Sequence, residues 1–148
     1  MPTIEKQMLV KATPETVFDL VTRVEEFPSH VSLLREVTLT GPKTYHWSIV
    51  VAGIELSWDG IVTRRERPHR FAWKSLSGQP NSGAYELEPT GNGTLVRFRM
   101  EYRFQNTWLE WLLTPVLEPL MNRAAEEAIA YVKMHLEKTE HPDGGQPV

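Results

Sequence analysis

The chain of 148 residues is 41% hydrophobic and 24% charged, a composition typical of a globular protein with enough apolar surface to bury a core. Its 16 basic and 19 acidic residues give a formal net charge of -3, which excludes the broad positive field of a general nucleic-acid-binding protein. The absence of cysteine excludes disulfides, thiolate metal sites and cysteine nucleophiles, and no apolar run approaches the roughly 20 residues of a membrane span. We therefore expect a soluble, cytoplasmic protein.

The start of the chain predicts one strand followed by two short helices. Apolar side chains of one parity between residues 4 and 10 indicate the opening strand. Thr13 has the character of an N-cap and the proline after it suits the first helical position, so a helix is expected over 14–22. Phe27-Pro28 interrupts the next segment. Because proline disfavours helical geometry at the residue before it, a second helix there should be short or broken.

A hydrophobic period of two replaces the helical period in the middle of the chain. Turns that contain glycine or proline separate runs of strand length, and the links between the runs are short enough for hairpins. This spacing predicts an antiparallel meander, which the opening strand extends to seven strands. The six predicted strands of the meander are 35–40, 44–51, 54–66, 69–76, 83–88 and 94–104.

The last part of the chain returns to a helical period and predicts a long closing helix. Pro115 and Pro119 lie in its early part. Since proline removes a helical hydrogen bond and strains the preceding turn, we expect a short turn over 107–114, a kink, and a regular helix over 116–137.

The domain organisation is predicted to be simple. No internal repeat, low-complexity stretch or linker divides the sequence, so a single domain is expected over 1–138, followed by a flexible tail over 139–148. The order of one strand, two short helices, six strands and one long helix indicates an α+β fold, in which a curved antiparallel sheet wraps around the long C-terminal helix.

Residue parity divides the predicted sheet into an apolar face and a polar face, because neighbouring residues of a strand point to opposite sides. The apolar face should lie against the long helix, where its tryptophan and tyrosine rings span space without filling it evenly. We therefore expect a cavity between sheet and helix, although an aromatic stripe can also form an ordinary packed core. The candidate cavity residues are Tyr45, Trp47, Trp58, Phe71, Trp73, Ser75, Tyr85, Phe98, Met100 and Tyr102 on the strands, and Leu117 and Met121 on the helix.

Charged residues are scarce on the predicted apolar face. Arg64 and Glu66 share the inward parity, but only at the end of a strand. The polar face carries opposite charges on neighbouring strands, and Glu86 is expected to pair with Arg97 across the ladder. A general acid or base held against a ligand is therefore not evident in the sequence.

The histidines and short motifs give little support for metal or nucleophilic chemistry. No two of the five histidines have the close helical spacing of a metal site, and no Gly-x-Ser-x-Gly elbow or glycine-rich phosphate loop occurs. His30 and His69 can stand near the mouth of the cavity, although surface or capping roles are the simpler interpretation. No metal and no cofactor are predicted.

Several short segments, in this order and at this spacing, resemble the polyketide cyclase/dehydrase family of the START-like, or birch-pollen-allergen-like, helix-grip superfamily. The resemblance covers roughly residues 3–136 and implies a helix-grip fold with an apolar cavity for lipids, polyketides, isoprenoids, quinones or similar molecules. It implies no particular reaction, because the matching positions are mainly structural in the family. The segments are VKATPETVF at 10–18, Phe27-Pro28, Tyr45-His46-Trp47, RPHRFAWKS at 67–75, Gly78, Asn81-Ser82-Gly83 and Gly93-Thr94-Leu95-Val96.

The favoured function is binding or transport of a small hydrophobic ligand. One alternative is a cyclase or dehydrase, in which the hydroxyls of Tyr45, Tyr85, Tyr102 and Ser75 would position a carbonyl. The other alternative is a protein-interaction module of the same fold. The sequence leaves the ligand and the oligomeric state open.

The segment just before the long helix carries two tryptophans beside leucines. Trp108 and Trp111 can dip transiently into a bilayer interface or gate the cavity, but stable membrane insertion is not expected. In the simpler interpretation Leu109, Leu112 and Leu113 pack on the sheet while one tryptophan covers the end of the cavity.

Overall fold

The computed structural model describes residues 3–104 and 106–140, with side chains as far as residue 137. Ten elements follow one another in the order that the sequence predicts. They are β1 (Thr3–Val10), α1 (Pro14–Val21), a short 3₁₀ helix (Val24–Ser29), β2 (Leu34–Leu39), β3 (Thr44–Val51), β4 (Ile54–Glu66), β5 (Arg70–Gly78), β6 (Asn81–Thr90), β7 (Gly93–Tyr102) and α2 (Thr107–Glu140).

The seven strands form one antiparallel sheet in the order β1-β7-β6-β5-β4-β3-β2. Hairpins join every neighbouring pair from β2 to β7, and β1 pairs along its whole length with the last strand, from Thr3 opposite Glu101 to Val10 opposite Thr94. The sheet curls around the long helix α2. The predicted α+β helix-grip architecture is confirmed.

Local sequence explains where α1 begins. The Thr13 hydroxyl accepts a hydrogen bond from the backbone N–H of Thr16 at 3.3 Å, Pro14 occupies the first turn, and Glu15 lies at the positive end of the helix. One side of α1 is buried on the sheet. The 3₁₀ helix that follows contains Pro28 and buries Phe27, so the prediction of a short second helix is also confirmed.

Helix α2 is continuous from Thr107 to Glu140, so the predicted separate turn over 107–114 is wrong. The two prolines interrupt the helical hydrogen bonds to Trp111 and Pro115. Both of these residues and Pro119 lie on the exposed side of the helix, where water can bond the released carbonyls. The helix also includes residues 139 and 140 of the predicted tail, and residues 141–148 lie outside the described part.

A β-bulge in β4 changes the side to which its last residues point. The ladder with β5 slips between Val62 and Arg64, so that Arg65, and not Arg64, stands opposite Phe71. The Arg65 guanidinium lies over the Phe71 ring, 5.0 Å from its centroid. Arg64 and Glu66 turn to the polar face and form an ion pair at 2.8 Å. The prediction that these two residues point inward is therefore wrong.

The polar face is covered by ion pairs between strands. Glu86 stands opposite Arg97 in the ladder, as expected, but it pairs with Arg70 on its other side. Arg97 pairs instead with Glu88 at 2.9 Å. The predicted Glu86–Arg97 pair is wrong because each charge has a second opposite charge on a neighbouring strand. Exposed pairs of this kind stabilise a fold by about 0–1 kcal/mol each.

The apolar face of the sheet forms the core with α1 and α2. Side chains of β1, β7 and α1 pack closely at one end, where Val10, Phe18 and Val96 are at most 1% exposed. Leu39 has the inward parity but is 54% exposed, because it ends the edge strand β2 beyond the reach of either helix.

Candidate ligand-binding cavity

A cavity of about 190 Å³ lies between the apolar face of the sheet and α2. Its wall is formed by the sheet and α2, together with the 3₁₀ helix and the segment that follows that helix. The residues from β1, α1, the 3₁₀ helix, the next segment and the start of β2 are Met8, Val21, Val24, Phe27, Val31, Leu33 and Leu34. The residues from β3 to β7 and just beyond are Tyr45, Trp47, Ile49, Leu56, Trp58, Gly60, Ile61, Val62, Phe71, Trp73, Gln79, Asn81, Tyr85, Phe98, Met100, Tyr102 and Phe104.

Small residues of α2 keep the space open on the helix side. Ala124, Ala125 and Ala128 line the cavity in the middle of the helix, with Leu117 and Met121 on the side of the N-terminus. Their spacing places them on one face, and a methyl side chain lets the helix cross the sheet without filling the space between. The remaining helix residues in the wall are Ile129 and Val132.

Two groups of aromatic rings form the sheet side of the cavity. Trp47 and Trp58 stack nearly parallel, with ring centroids 5.9 Å apart. Trp73, Tyr85 and Phe98 pack against one another with centroids 5.4 to 6.2 Å apart. These rings pack side by side across neighbouring strands, and the alanines of α2 line the same cavity from the helix side. The result is a broad aromatic floor beneath an open space.

Eleven of the twelve candidate residues line this one cavity, and the structure therefore brings together the residues that parity selected. Ser75 does not line it. Its hydroxyl instead accepts a hydrogen bond from the backbone N–H of Asn81 at 3.1 Å, which fixes the turn between β5 and β6. Direct contact of the eleven residues with a ligand stays a prediction.

Sequence reasoning missed the two amide side chains of the wall, Gln79 and Asn81. Both lie beyond the predicted limits of β5 and β6, in the segment that was expected to be a turn. A signal for Asn81 does exist in the sequence, since it shares odd parity with Gly83 and Tyr85. Starting the predicted strand 83–88 two residues earlier would have placed Asn81 on the apolar face.

The turn between β5 and β6 holds these amides in place. The backbone N–H of Gln79 donates to the carbonyl of Ser57 at 3.0 Å, and the side-chain amide of Asn81 donates to the carbonyl of Gln79 at 3.0 Å. Gly78 makes the close approach possible: its φ is +83°, and a Cβ there would lie 2.8 Å from the Cα of Trp58. The turn therefore fixes a polar corner on an otherwise apolar wall.

No aspartate, glutamate, histidine, lysine or arginine occurs among the described residues of the wall. The titratable groups that remain there are tyrosines. Burial raises the pKa of Tyr85 to about 12, and burial and then the charge of Glu118 raise the pKa of Tyr102. Both hydroxyls therefore stay protonated at neutral pH, so they can donate or accept hydrogen bonds but cannot serve as bases.

The segment between the 3₁₀ helix and β2 closes one side of the cavity and is attached to α2. The Glu127 carboxylate accepts hydrogen bonds from the backbone N–H and the hydroxyl of Ser32, at 2.8 and 3.0 Å, and these bonds lower the pKa of Glu127. His30 stacks on Tyr131, with ring centroids 3.8 Å apart. Neither His30 nor His69, which is exposed near the start of β5, lines the cavity itself.

The two tryptophans at the start of α2 point away from the cavity. Trp108 is 62% exposed and Trp111 is 79% exposed, so the expectation that one of them covers the cavity end is wrong. Leu113 is buried and Leu109 packs on the core, as predicted, but Leu112 is 44% exposed. Contact of this segment with a membrane stays a prediction.

Two further features of residues 3–104 and 106–140 bear on function. None of their helices is long and apolar enough to cross a membrane. Within the same residues no three acidic or histidine side chains come together as a metal ion would require.

Residues 1–137 match the profile of the family described as polyketide cyclase/dehydrase and lipid transport, and the chain belongs to this family. The resemblance seen in the sequence is thereby confirmed. No curated protein matches the chain.

Solved structures from bacteria share the fold at low sequence identity. A Thermus thermophilus protein has a TM-score of 0.78 at 19% identity, covering 93% of this chain and 99% of that chain. The Zhui aromatase/cyclase of a Streptomyces species has a TM-score of 0.75 at 15% identity, covering 98% and 99%. A START superfamily protein of Mycobacterium smegmatis has a TM-score of 0.73 at 14% identity, covering 93% and 98%. At these identities the similarity establishes the fold alone.

Proposed function

We propose that the protein binds a small hydrophobic molecule in the cavity between the sheet and α2, as a carrier or a transport protein. The observation that carries this proposal is the composition of the wall. It is apolar and aromatic apart from two amides and a few hydroxyl and indole groups, and it contains no charged side chain among its described residues. Such a wall stabilises an apolar ligand by about 25 cal/mol per Å² of surface removed from water, and it disfavours an ion.

The volume of the cavity limits the size of the ligand. A dry apolar cavity of about 150 Å³ is large enough to take up benzene. The present cavity of about 190 Å³ therefore suits one or two rings or a short chain segment. Pockets for larger ligands usually measure about 300–1,000 Å³, so a long lipid or a polyketide would require the segment around Ser32 to move away from α2.

The second candidate function is that of a cyclase or dehydrase, which the family also includes. Protonated tyrosine hydroxyls in the wall, Tyr85 above all, favour it because they can hold a carbonyl group in one orientation. Against it stands the composition of the wall, since enolisation or dehydration requires a group that removes a proton near neutral pH. The apolar wall therefore supports binding over catalysis.

The proposal is tested with one substitution that fills the cavity and one that removes a ring from its wall. Ala124→Leu adds a branched side chain to the open side of α2, where cavity filling preserves or raises the stability of the fold. Ala130→Leu is the matched control, because residue 130 is exposed on the same helix. Freshly purified wild type, both variants and Trp73→Ala are extracted with organic solvent, and the extracts are compared by mass spectrometry.

A stoichiometric apolar compound in the wild type and in Ala130→Leu, but strongly reduced in Ala124→Leu and Trp73→Ala, is the expected result. An empty wild-type extract, together with no thermal stabilisation by a panel of apolar compounds, would contradict the proposal. Conversion of the extracted compound by the wild type would instead establish the cyclase or dehydrase function.

A further inference from the structure

Two residues of the cavity wall each carry a buried polar atom that has no hydrogen-bond partner. These atoms are the indole N–H of Trp58 and the side-chain oxygen of Asn81, and they are two of only three such side-chain atoms in the described part of the chain. Both residues line the cavity, and they are 6% and 7% exposed. A buried donor or acceptor without a partner destabilises the fold, so each of these two atoms requires an explanation.

The orientation of the Asn81 amide follows from its surroundings. Its nitrogen lies 3.0 Å from the carbonyl oxygen of Gln79, to which it donates. The reverse orientation would place two oxygens against each other, so the oxygen is the atom left without a partner. Asn81 therefore presents an acceptor, while Trp58, whose indole nitrogen is a donor only, presents an N–H.

One turn positions both groups. Trp58 stands opposite Gly78 in the ladder between β4 and β5, and Asn81 is bonded to Gln79, the residue after that glycine. Asn81 also stands opposite Tyr102 in the ladder between β6 and β7. The turn thus places Trp58 and Asn81, which carry the unpaired donor and acceptor, at the same corner of the cavity wall, beside a tyrosine whose pKa is raised by burial.

The class of ligand follows from asking which chemical group pairs with both the Trp58 N–H and the Asn81 oxygen. A hydrocarbon would leave both atoms unpaired, and a ketone would leave the Asn81 oxygen unpaired. A carboxylate would pair with the indole N–H but would lie against the Asn81 oxygen, in a wall without a positive charge among its described residues. A hydroxyl group both accepts and donates, so its chemistry matches both the donor and the acceptor.

We propose that Trp58 and Asn81 select an uncharged apolar ligand that carries a hydroxyl group, such as a phenol or an alcohol, and orient that hydroxyl toward the turn between β5 and β6. This inference rests on the proposed function, because it concerns the ligand of the same cavity. The inference goes beyond the proposed function by stating which chemical group distinguishes the ligand from other apolar molecules of the same shape.

The test compares three probes of similar shape by calorimetric titration of the full chain: 2-naphthol, 2-methylnaphthalene and 2-naphthoate. The wild type is expected to bind 2-naphthol about 10- to 30-fold more tightly than 2-methylnaphthalene, since each net hydrogen bond contributes about three- to tenfold. Binding of 2-naphthoate is expected to be the weakest. Trp58→Phe keeps a ring in the wall and removes the N–H, and it should reduce this preference about threefold or more.

Trp47→Phe is the matched control, because Trp47 lines the same cavity, stacks on Trp58 and has no buried unpaired N–H. It should weaken both neutral probes alike and leave their ratio unchanged. Asn81→Leu should reduce the ratio as Trp58→Phe does, and circular dichroism of each variant verifies that it is folded.

The outcomes separate the two proposals. Equal affinity of the wild type for 2-naphthol and 2-methylnaphthalene, or tighter binding of 2-naphthoate, would overturn the selection of a hydroxyl while hydrophobic binding would stand. An equal loss of preference in Trp47→Phe would overturn the assignment to Trp58. Failure of the wild type to bind any of the three probes would contradict both proposals.

Discussion

The apolar face of the sheet is filled at one end and open in its middle, although the same parity pattern runs through both regions. Where α1 packs on the sheet, Phe18 of the helix and Val10 and Val96 of the strands are at most 1% exposed. Beneath the middle of α2, Trp73 and Phe98 point inward from the same sheet but remain only half-buried, because they border the cavity.

The difference between the two regions comes from residue size and not from polarity. Helix α1 presents Val17, Phe18, Leu20 and Val21, which interdigitate with the sheet. Helix α2 presents alanines at positions 124, 125 and 128 to the cavity, whose opposite wall carries large aromatic rings. A binding cavity thus arises where small residues on a helix face large rigid rings on a sheet.

The largest expected effect on stability comes from replacing a phenylalanine with alanine in each of the two regions. Phe18→Ala should lower the free energy of unfolding by about 3–5 kcal/mol, because a fully packed ring leaves an empty cavity behind. Phe98→Ala should lower it by about 1–2 kcal/mol, since the Phe98 ring already borders open space. Urea unfolding measures both values. Equal losses at the two positions would show that the middle of the sheet is as closely packed as the end beneath α1.

Gly83 provides a test of the aromatic floor. A Cβ at this position would collide with the Trp73 ring and would lie 2.9 Å from the carbonyl oxygen of Arg99, so Gly83→Ala should cost about 1–3 kcal/mol of stability. Gly91→Ala is the matched control, because a Cβ there meets no atom within 4 Å, and it should change stability by less than about 0.5 kcal/mol. Similar unfolding midpoints for the two variants would mean that the Trp73 ring moves freely.

Glu127 tests the closure of the cavity through its dependence on pH. The hydrogen bonds from Ser32 lower the pKa of Glu127 in the folded state below the usual value of 4.5. The Glu127 carboxylate therefore stabilises the fold when the pH is above the usual pKa. This contribution is lost as the pH falls through the lowered pKa. Glu127→Gln should be less stable than the wild type at neutral pH, and the difference should shrink in acid. Thermal unfolding across the acid range measures it, and a difference that is independent of pH would contradict this role of the carboxylate.

The smallest effect is expected outside both regions. Trp111 is 79% exposed, so Trp111→Ala should change the free energy of unfolding by less than about 0.5 kcal/mol. Sedimentation with neutral phospholipid vesicles measures whether this residue contacts a membrane. Loss of vesicle binding in Trp111→Ala would support the predicted transient membrane contact, and absence of wild-type binding would exclude it for such vesicles.

Parity predicted the cavity wall well where the strands are regular. Trp47 and Trp58 stand between polar residues, and Trp73 and Tyr85 each stand between an alanine and a charged residue. One face of a sheet must be apolar to bury against a helix, so these large rings mark the inward face. Parity failed at the bulge in β4, because one extra residue reverses the side of every residue after it and leaves no clear mark in the sequence. Arg65 therefore took the inward position that was expected for Arg64.

Other features depend on contacts that a single sequence does not contain. The continuity of α2 through Pro115 depends on which side of the helix faces water, which only the packed structure determines. The polar corner depends on the exact ends of β5 and β6, and strand ends are the least predictable part of a pattern. The size of the cavity depends on the distance between two layers, and residue types alone do not give it.

The five tryptophans of the chain allow a direct measurement of the central claim, because Trp47, Trp58 and Trp73 line the cavity whereas Trp108 and Trp111 are exposed on α2. Their indole N–H signals in a proton–nitrogen NMR spectrum, assigned by single substitutions, are followed during titration with 2-methylnaphthalene. Binding in the cavity predicts that the first three signals shift together with one saturation curve while the last two do not move. Saturable shifts confined to Trp108 and Trp111, or no shift of any indole at the solubility limit of the probe, would contradict it.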